Sequence, residues 1–255
     1  MKDKKGKILE WIGRNPRLKE IGKQIISQVD RMFAENKDID AENPLPCLPI
    51  FTRREILRRL CLPLLQKVPL LQNESEDVLE LISRNFLKQV YYNENSYIAW
   101  EGEPLDALLF ITQGIVWTYT TSPDNRQTGF ITTNDFYGVE LLEWMFNSPS
   151  LRDPSNHPFS TRTLRCHTKV EGFALTAGNM QHMLYKYWWK LSMFKESTNS
   201  NLKKLQSTLA ASNVQAAFRR WHYACQTKLD DQSDQKKAKK AVGALVRTVL
   251  CIDTT

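Results

Sequence analysis

Arg162 stands in the string Ser160-Thr-Arg-Thr, a guanidinium set among hydroxyls. A planar guanidinium matches phosphate oxygens in a bidentate fork, and the Thr163 hydroxyl can donate a further hydrogen bond. Upstream runs Asp135-Phe-Tyr-Gly-Val-Glu-Leu-Leu-Glu-Trp. Gly138 within it allows close approach to the backbone. Val139, Glu140 and Leu141 follow, and the Glu140 carboxylate is an acceptor for a hydroxyl. A cation, a close-approach glycine and an acid are parts suited to a small phosphate-bearing ligand. Each also has a plainer reading. Arg162 suits a salt-bridged strand position, Glu140 a helix N-terminus, and Gly102 and Gly114 ordinary turns.

A second pattern lies in Val214-Gln-Ala-Ala-Phe-Arg-Arg-Trp. Val214, Phe218 and Trp221 recur at helical spacing, with Gln215, Arg219 and Arg220 beside them. A basic amphipathic helix of this kind suits calmodulin, whose grooves are Met-rich and whose surface is acidic. The stretch Tyr185 to Lys195 mixes aromatic and basic residues too, but Trp188, Leu191 and Phe194 read there as core. The five cysteines form no CxxC pair, and the four histidines form no HxxxH or HExxH pair. Neither a metal site, a disulfide framework nor a nucleophile–base pair emerges, so no catalytic residue is assigned and no enzyme is expected.

The elements that must position these groups fall into three zones. In the first, Leu18, Ile21, Ile25, Val29 and Met32 form the stripe of an amphipathic helix within residues 1–42. Asn43-Pro-Leu-Pro is a break, and helical patterns resume over Arg53 to Leu65 and Glu76 to Phe86. From about Leu87 to Leu175, short runs rich in Val, Ile, Thr, Tyr and Phe alternate with turn residues, the signature of a β barrel or roll. From Ala177 the helical pattern returns and persists to about Lys228, with a polar linker and one tail helix after it.

Several strings, in order, resemble plant cyclic-nucleotide-gated ion channels. Tyr97-Ile-Ala-Trp-Glu-Gly-Glu-Pro-Leu-Asp-Ala-Leu-Leu-Phe-Ile-Thr-Gln-Gly is similar to the glycine-turn and strand string of cyclic-nucleotide-binding domains. The Asp135 string looks like the opening of their phosphate cassette, and Ser160-Thr-Arg-Thr like its close. The run from Arg53 to Leu71 resembles the junction before the plant domain, and the Val214 string resembles an IQ motif. The resemblance implies a C-linker-like region over 1–65, a cyclic-nucleotide-binding-like domain over 66–205, an IQ-like helix over 206–228, and a linker and tail helix over 229–255. It also implies that Gly138, Val139, Glu140, Leu141, Arg162 and Thr163 hold cAMP or cGMP, and that the residues after Gly138 open a short helix whose N-terminal amides attract the phosphate. Two positions depart from the family. Val139 stands where the ribose-contacting glutamate belongs, so either Glu140 takes over or affinity is poor; Trp100 stands where plant relatives usually carry arginine.

Composition fits this reading. Hydrophobic residues make up 42% of the 255-residue chain and aromatics 10%, enough for a packed core. No apolar run nears the roughly 20 residues of a membrane span, and the charged start has no signal-peptide pattern, so the chain is expected to conduct no ions by itself. The net charge of +7 permits acidic partners. The expectation is an α+β protein: an N-terminal helical linker, an antiparallel β-roll and C-terminal helices. Its expected place is the cytosolic face of a membrane, within a channel whose subunits assemble as a tetramer. Its expected ligand and partner are cyclic nucleotide and calmodulin, with no cofactor and no nucleic acid. The alternative is a degenerate scaffold that binds calmodulin or sister subunits without nucleotide.

Overall fold

The computed structural model describes residues 2–35, 39–41, 43–121, 127–147, 157–192, 194 and 200–226. The expected tail helix over 229–255 lies outside the described residues. The chain divides into two compact units, one of residues 1–143 with 154–180 and one of residues 144–153 with 181–255.

The first unit opens on α1 (Lys2–Arg14), a 3-10 turn (Pro16–Ile21) and α2 (Gly22–Ala34). The apolar stripe from Leu18 to Met32 therefore starts in the 3-10 turn and continues through α2, and α1 is a separate helix before it. Proline at 16 disfavours helical backbone in the residue before it, and Asn15 is extended, with φ −108° and ψ 92°. The Asn15 side chain turns back and donates to the Trp11 carbonyl at 2.9 Å. The bend lets Ile8, Trp11 and Ile12 of α1 share a buried seam with Ile25, Val29 and Met32 of α2. Helix α3 (Ile50–Leu65) carries Pro63 in its last turn, where the missing N–H removes one bond of the ladder and the helix stops two residues later. Helix α4 (Glu76–Asn85) buries Val78, Leu79 and Ile82, the spacing read from sequence. Arg59 of α3 reaches Glu55 on its own helix and Glu20 of the 3-10 turn, each at 2.6 Å.

The β-roll has eight strands in two four-stranded antiparallel sheets among the described residues. These are β1 (Lys88–Tyr92), β2 (Tyr97–Ala99), β3 (Ala107–Gln113), β4 (Val116–Tyr119), β5 (Thr128–Ile131), β6 (Phe136–Tyr137), β7 (Thr163–Cys166) and β8 (Val170–Thr176). One sheet runs β1-β8-β3-β6 and the other β2-β7-β4-β5. Leu109, Ile111, Val116, Leu164, Cys166, Val170 and Ala174 close a shared core, with Tyr137 and Ile131 packed against it. Cys61 in the helical region and Cys166 in the roll are both free and buried, and burial pushes both thiols up. Neither is a reactive nucleophile in that state.

Helix α5 (Val139–Asn147) leaves the roll directly after Gly138. The unbroken helical pattern read from Ala177 resolves into pieces. Helix α6 (Ala177–Tyr187) gives way to a 3-10 turn at Trp188–Lys190, and α7 spans Ser200–Gln226. Trp188, Leu191 and Phe194 are buried, as their spacing suggests. The Phe194 ring meets Trp188 at 6.2 Å and Phe146 of α5 at 6.0 Å, both edge-on, a favoured aromatic geometry.

Candidate functional site

Gly138 sits at the joint between β6 and α5 with φ +92°. A Cβ there would lie 2.6 Å from the Ala107 carbonyl oxygen of β3. Only glycine satisfies both the left-handed backbone and the close approach to β3. The joint closes by a hydrogen bond from the Leu141 amide to the Gly138 carbonyl at 3.1 Å. Leu141 itself is fully buried. Glu140, in the first turn of α5, has its Oε2 buried without a hydrogen-bond partner. A buried acceptor in that state costs free energy until a donor arrives.

Arg162 immediately precedes β7. Its Nη1 lies 3.7 Å from the point where Gly129 would carry a Cβ, and Gly129 pairs with the buried Thr118 across β4 and β5. The guanidinium thus lies over the sheet beside Gly129, at a distance of ordinary van der Waals contact. Arg162 Nη2 donates to Gln127 Oε1 at 2.8 Å. This partner is neutral, and a phosphate offered to the same guanidinium would form a stronger, charge-assisted pair. Thr163 is buried, and its Oγ1 accepts the Glu101 amide at 3.1 Å. An accepted bond leaves the hydroxyl its own proton to donate.

Two residues unmarked in the sequence join these pieces. The Tyr137 hydroxyl pairs with Ser160 Oγ at 2.8 Å, and Ser160 Oγ donates to the Arg162 carbonyl at 2.7 Å. The residue before Gly138 is thereby tied to the backbone of Arg162. The Glu101-Gly-Glu-Pro turn holds the same segment from the other side. Gly102 N–H donates to Ser160 O at 2.8 Å, Ser160 N–H to Glu103 O at 2.7 Å, and Leu105 N–H to Pro158 O at 2.8 Å. Glu101 Oε2 in turn takes both the amide and the hydroxyl of Thr121, which holds its carboxyl below the usual range. Trp100 stacks on Tyr97 with ring centroids 3.9 Å apart and stays half-exposed. Arg165 of β7 lies over the Tyr97 ring. No local spacing could have marked Tyr137 with Ser160, because the pair joins β6 to the segment before β7, 23 residues away in sequence.

No family model matches the chain. Curated relatives do. Cyclic nucleotide-gated ion channel 1 of Arabidopsis thaliana is 33% identical over 226 residues, 87% of this chain and 31% of that channel. Channel 9 of the same plant is 32% identical over 94% of this chain and 33% of its own length; channel 8 is 36% identical over 74% and 25%. The chain is a homologue of plant cyclic nucleotide-gated ion channels. It spans about a quarter to a third of the length of these channel relatives. A solved cyclic nucleotide-binding domain from Methylobacillus flagellatus aligns over 64% of this chain and 81% of its own, at 13% identity and a TM-score of 0.41.

The residues expected to meet calmodulin in this channel homologue lie in the last part of α7. Leu205, Leu209 and Ala210, earlier in the helix, are buried. From residue 211 to residue 223 none is. Phe218 is 53% exposed, and its ring lies 5.6 Å from that of Trp221. Val214 is half-buried, whereas Gln215, Arg219 and Arg220 face solvent. Among the described residues no helix is long and apolar enough to cross a membrane, and no cluster of His, Cys, Asp and Glu is arranged to hold a metal ion.

Proposed function

We propose that this chain is the cytosolic regulatory region of a ligand-gated cation channel whose β-roll takes up cAMP or cGMP. The observation that carries this reading is the Tyr137–Ser160–Arg162 relay, which ties the Gly138 turn to the guanidinium. The Arg162 fork receives the cyclic phosphate in exchange for Gln127, the amides opening α5 add to it, and Thr163 offers its hydroxyl proton. Ligand binding then shifts the helices that follow the roll, by as much as its affinity differs between their two positions. The whole would sit at the cytosolic face of a membrane, in a channel assembled from several such subunits.

The buried, unpartnered Glu140 Oε2 favours Glu140 over Val139 as the ribose acceptor. A ribose 2′-hydroxyl supplies the donor that this oxygen lacks. Glu140→Ala is therefore expected to weaken cyclic-nucleotide binding by about 1–3 kcal/mol, and Val139→Glu to change it little. Titration calorimetry on both variants tests the assignment. A gain of tenfold or more for Val139→Glu, with Glu140→Ala unchanged, would place the acceptor at 139 and leave Glu140 a helix-terminus acid.

The exposed end of α7 supports calmodulin as a second regulator. A peptide covering residues 213–228 is expected to bind calmodulin with a blue shift of Trp221 fluorescence. Phe218→Asp should weaken it by about 2 kcal/mol or more, the loss expected of an aromatic anchor. An equal shift for both peptides refutes the anchor. If calmodulin binds and neither nucleotide does, the scaffold reading takes the place of the sensor.

A further inference from the structure

A cavity of about 680 Å³ opens between α3, the end of α4 and β1, all within the first unit. Four cations line it: Arg53 and Arg54 of α3, Arg84 in the last turn of α4, and Lys88 opening β1. Among its described lining residues there is no carboxylate. Of the acids on these helices, Glu55 pairs with Arg59 and Glu76 with Arg58. Of the four cations only Arg54 has a described ring contact, with Phe51 at 5.9 Å, and its Nε is buried without a hydrogen-bond partner.

Two further buried atoms without partners belong to residues that line the same cavity, Asn43 Oδ1 and Gln89 Oε1. Such atoms are scarce in folded proteins because each costs free energy, and three of them belong to residues that line this one cavity, where a ligand that reached them would relieve that cost. One is a donor beside three further cations, which asks for a strong anion. Two are acceptors, which ask for hydroxyl or amine donors on the same molecule. The apolar wall, Leu57 and Phe173, would cover a ring face. The volume lies in the usual range for small-ligand sites.

We infer that this cavity binds a phosphorylated polyol, its phosphates on Arg53, Arg54, Arg84 and Lys88 and its ring hydroxyls on Asn43 and Gln89. A free inositol phosphate and the headgroup of a phosphoinositide share this chemistry. The site is separate from the roll residues Gly138, Glu140 and Arg162, none of which lines it.

The test uses the full chain with two probes: inositol 1,4,5-trisphosphate by calorimetry, and phosphatidylcholine vesicles with or without phosphatidylinositol 4,5-bisphosphate by co-sedimentation. Binding of the soluble probe is expected to fall at least about tenfold in Arg53→Gln/Arg54→Gln, and to fall also in Arg84→Gln/Lys88→Gln, as lost charge-assisted bonds dictate. The second pair is exposed, so its replacement tests the site without disturbing the core. Binding of the trisphosphate alone identifies a soluble ligand, and binding only to the charged vesicles identifies the lipid. Failure of both probes to bind the native chain overturns the inference. So does equal binding by both double variants, or displacement of the trisphosphate by cAMP, which would put it in the roll.

Discussion

Arg162→Ala is expected to weaken binding of cAMP or cGMP by about 1.5–3 kcal/mol, roughly ten- to a hundredfold, while leaving the fold intact. The loss is large because the guanidinium is the charged partner the roll offers to a phosphate at this point. The fold survives because the Arg162 side chain has one described hydrogen bond, to Gln127, and that bond lies at the surface. Its backbone carbonyl, which holds the Ser160 hydroxyl, is kept in alanine. Arg162→Lys separates charge from geometry. It keeps the charge but loses the planar fork, so its affinity should fall between native and alanine. Calorimetry on the three chains, with circular dichroism to verify folding, reads both parts. Equal affinity in all three would remove Arg162 from the site.

Gly138→Ala has the second large effect, on stability and binding together. An alanine there must hold φ near +92° with its Cβ at 2.6 Å from the Ala107 carbonyl oxygen. Left-handed strain alone costs about 1–3 kcal/mol, and the contact forces α5 or β3 to move as well. The melting temperature is expected to drop by several degrees, with weakened nucleotide binding because the amides of the α5 turn shift. Gly178→Ala is the control. Gly178 lies in α6 with a negative φ and open space around its missing Cβ, so alanine there should stabilise slightly. Matching melting temperatures for the two variants would mean that the Gly138 joint is not strained by a side chain.

The α3 and α4 helices were legible because Ile56, Leu60 and Leu64, and Val78, Leu79 and Ile82, keep helical spacing into a core. The strands were legible because β-branched and aromatic runs alternate with turns, and Gly138 and Arg162 stood out by chemistry. The separate helix α1 was hidden because the apolar stripe read from sequence, Leu18 to Met32, begins only after Asn15-Pro16 and reports nothing of the chain before it. The pairing of Tyr137 with Ser160 was hidden for a different reason: both are common polar residues, brought together only when β6 meets the segment before β7. The basic cavity is of the same kind. Arg53 and Arg54 simply open a helical pattern in the sequence, and nothing marks them until Arg84 and Lys88, from other elements, converge on them. Val139 was conspicuous as a departure from the channel pattern, but only the buried, unpartnered oxygen of Glu140 gives its neighbour a reason to act instead.

The central claim is that the roll holds a cyclic nucleotide between the Gly138 turn and Arg162. Titration calorimetry of the folded full chain with cAMP and with cGMP tests it most directly. Saturable binding of at least one of them, at one ligand per chain and lost in Arg162→Ala, is the predicted result. No heat from either nucleotide, in the native chain and in Val139→Glu alike, would contradict it.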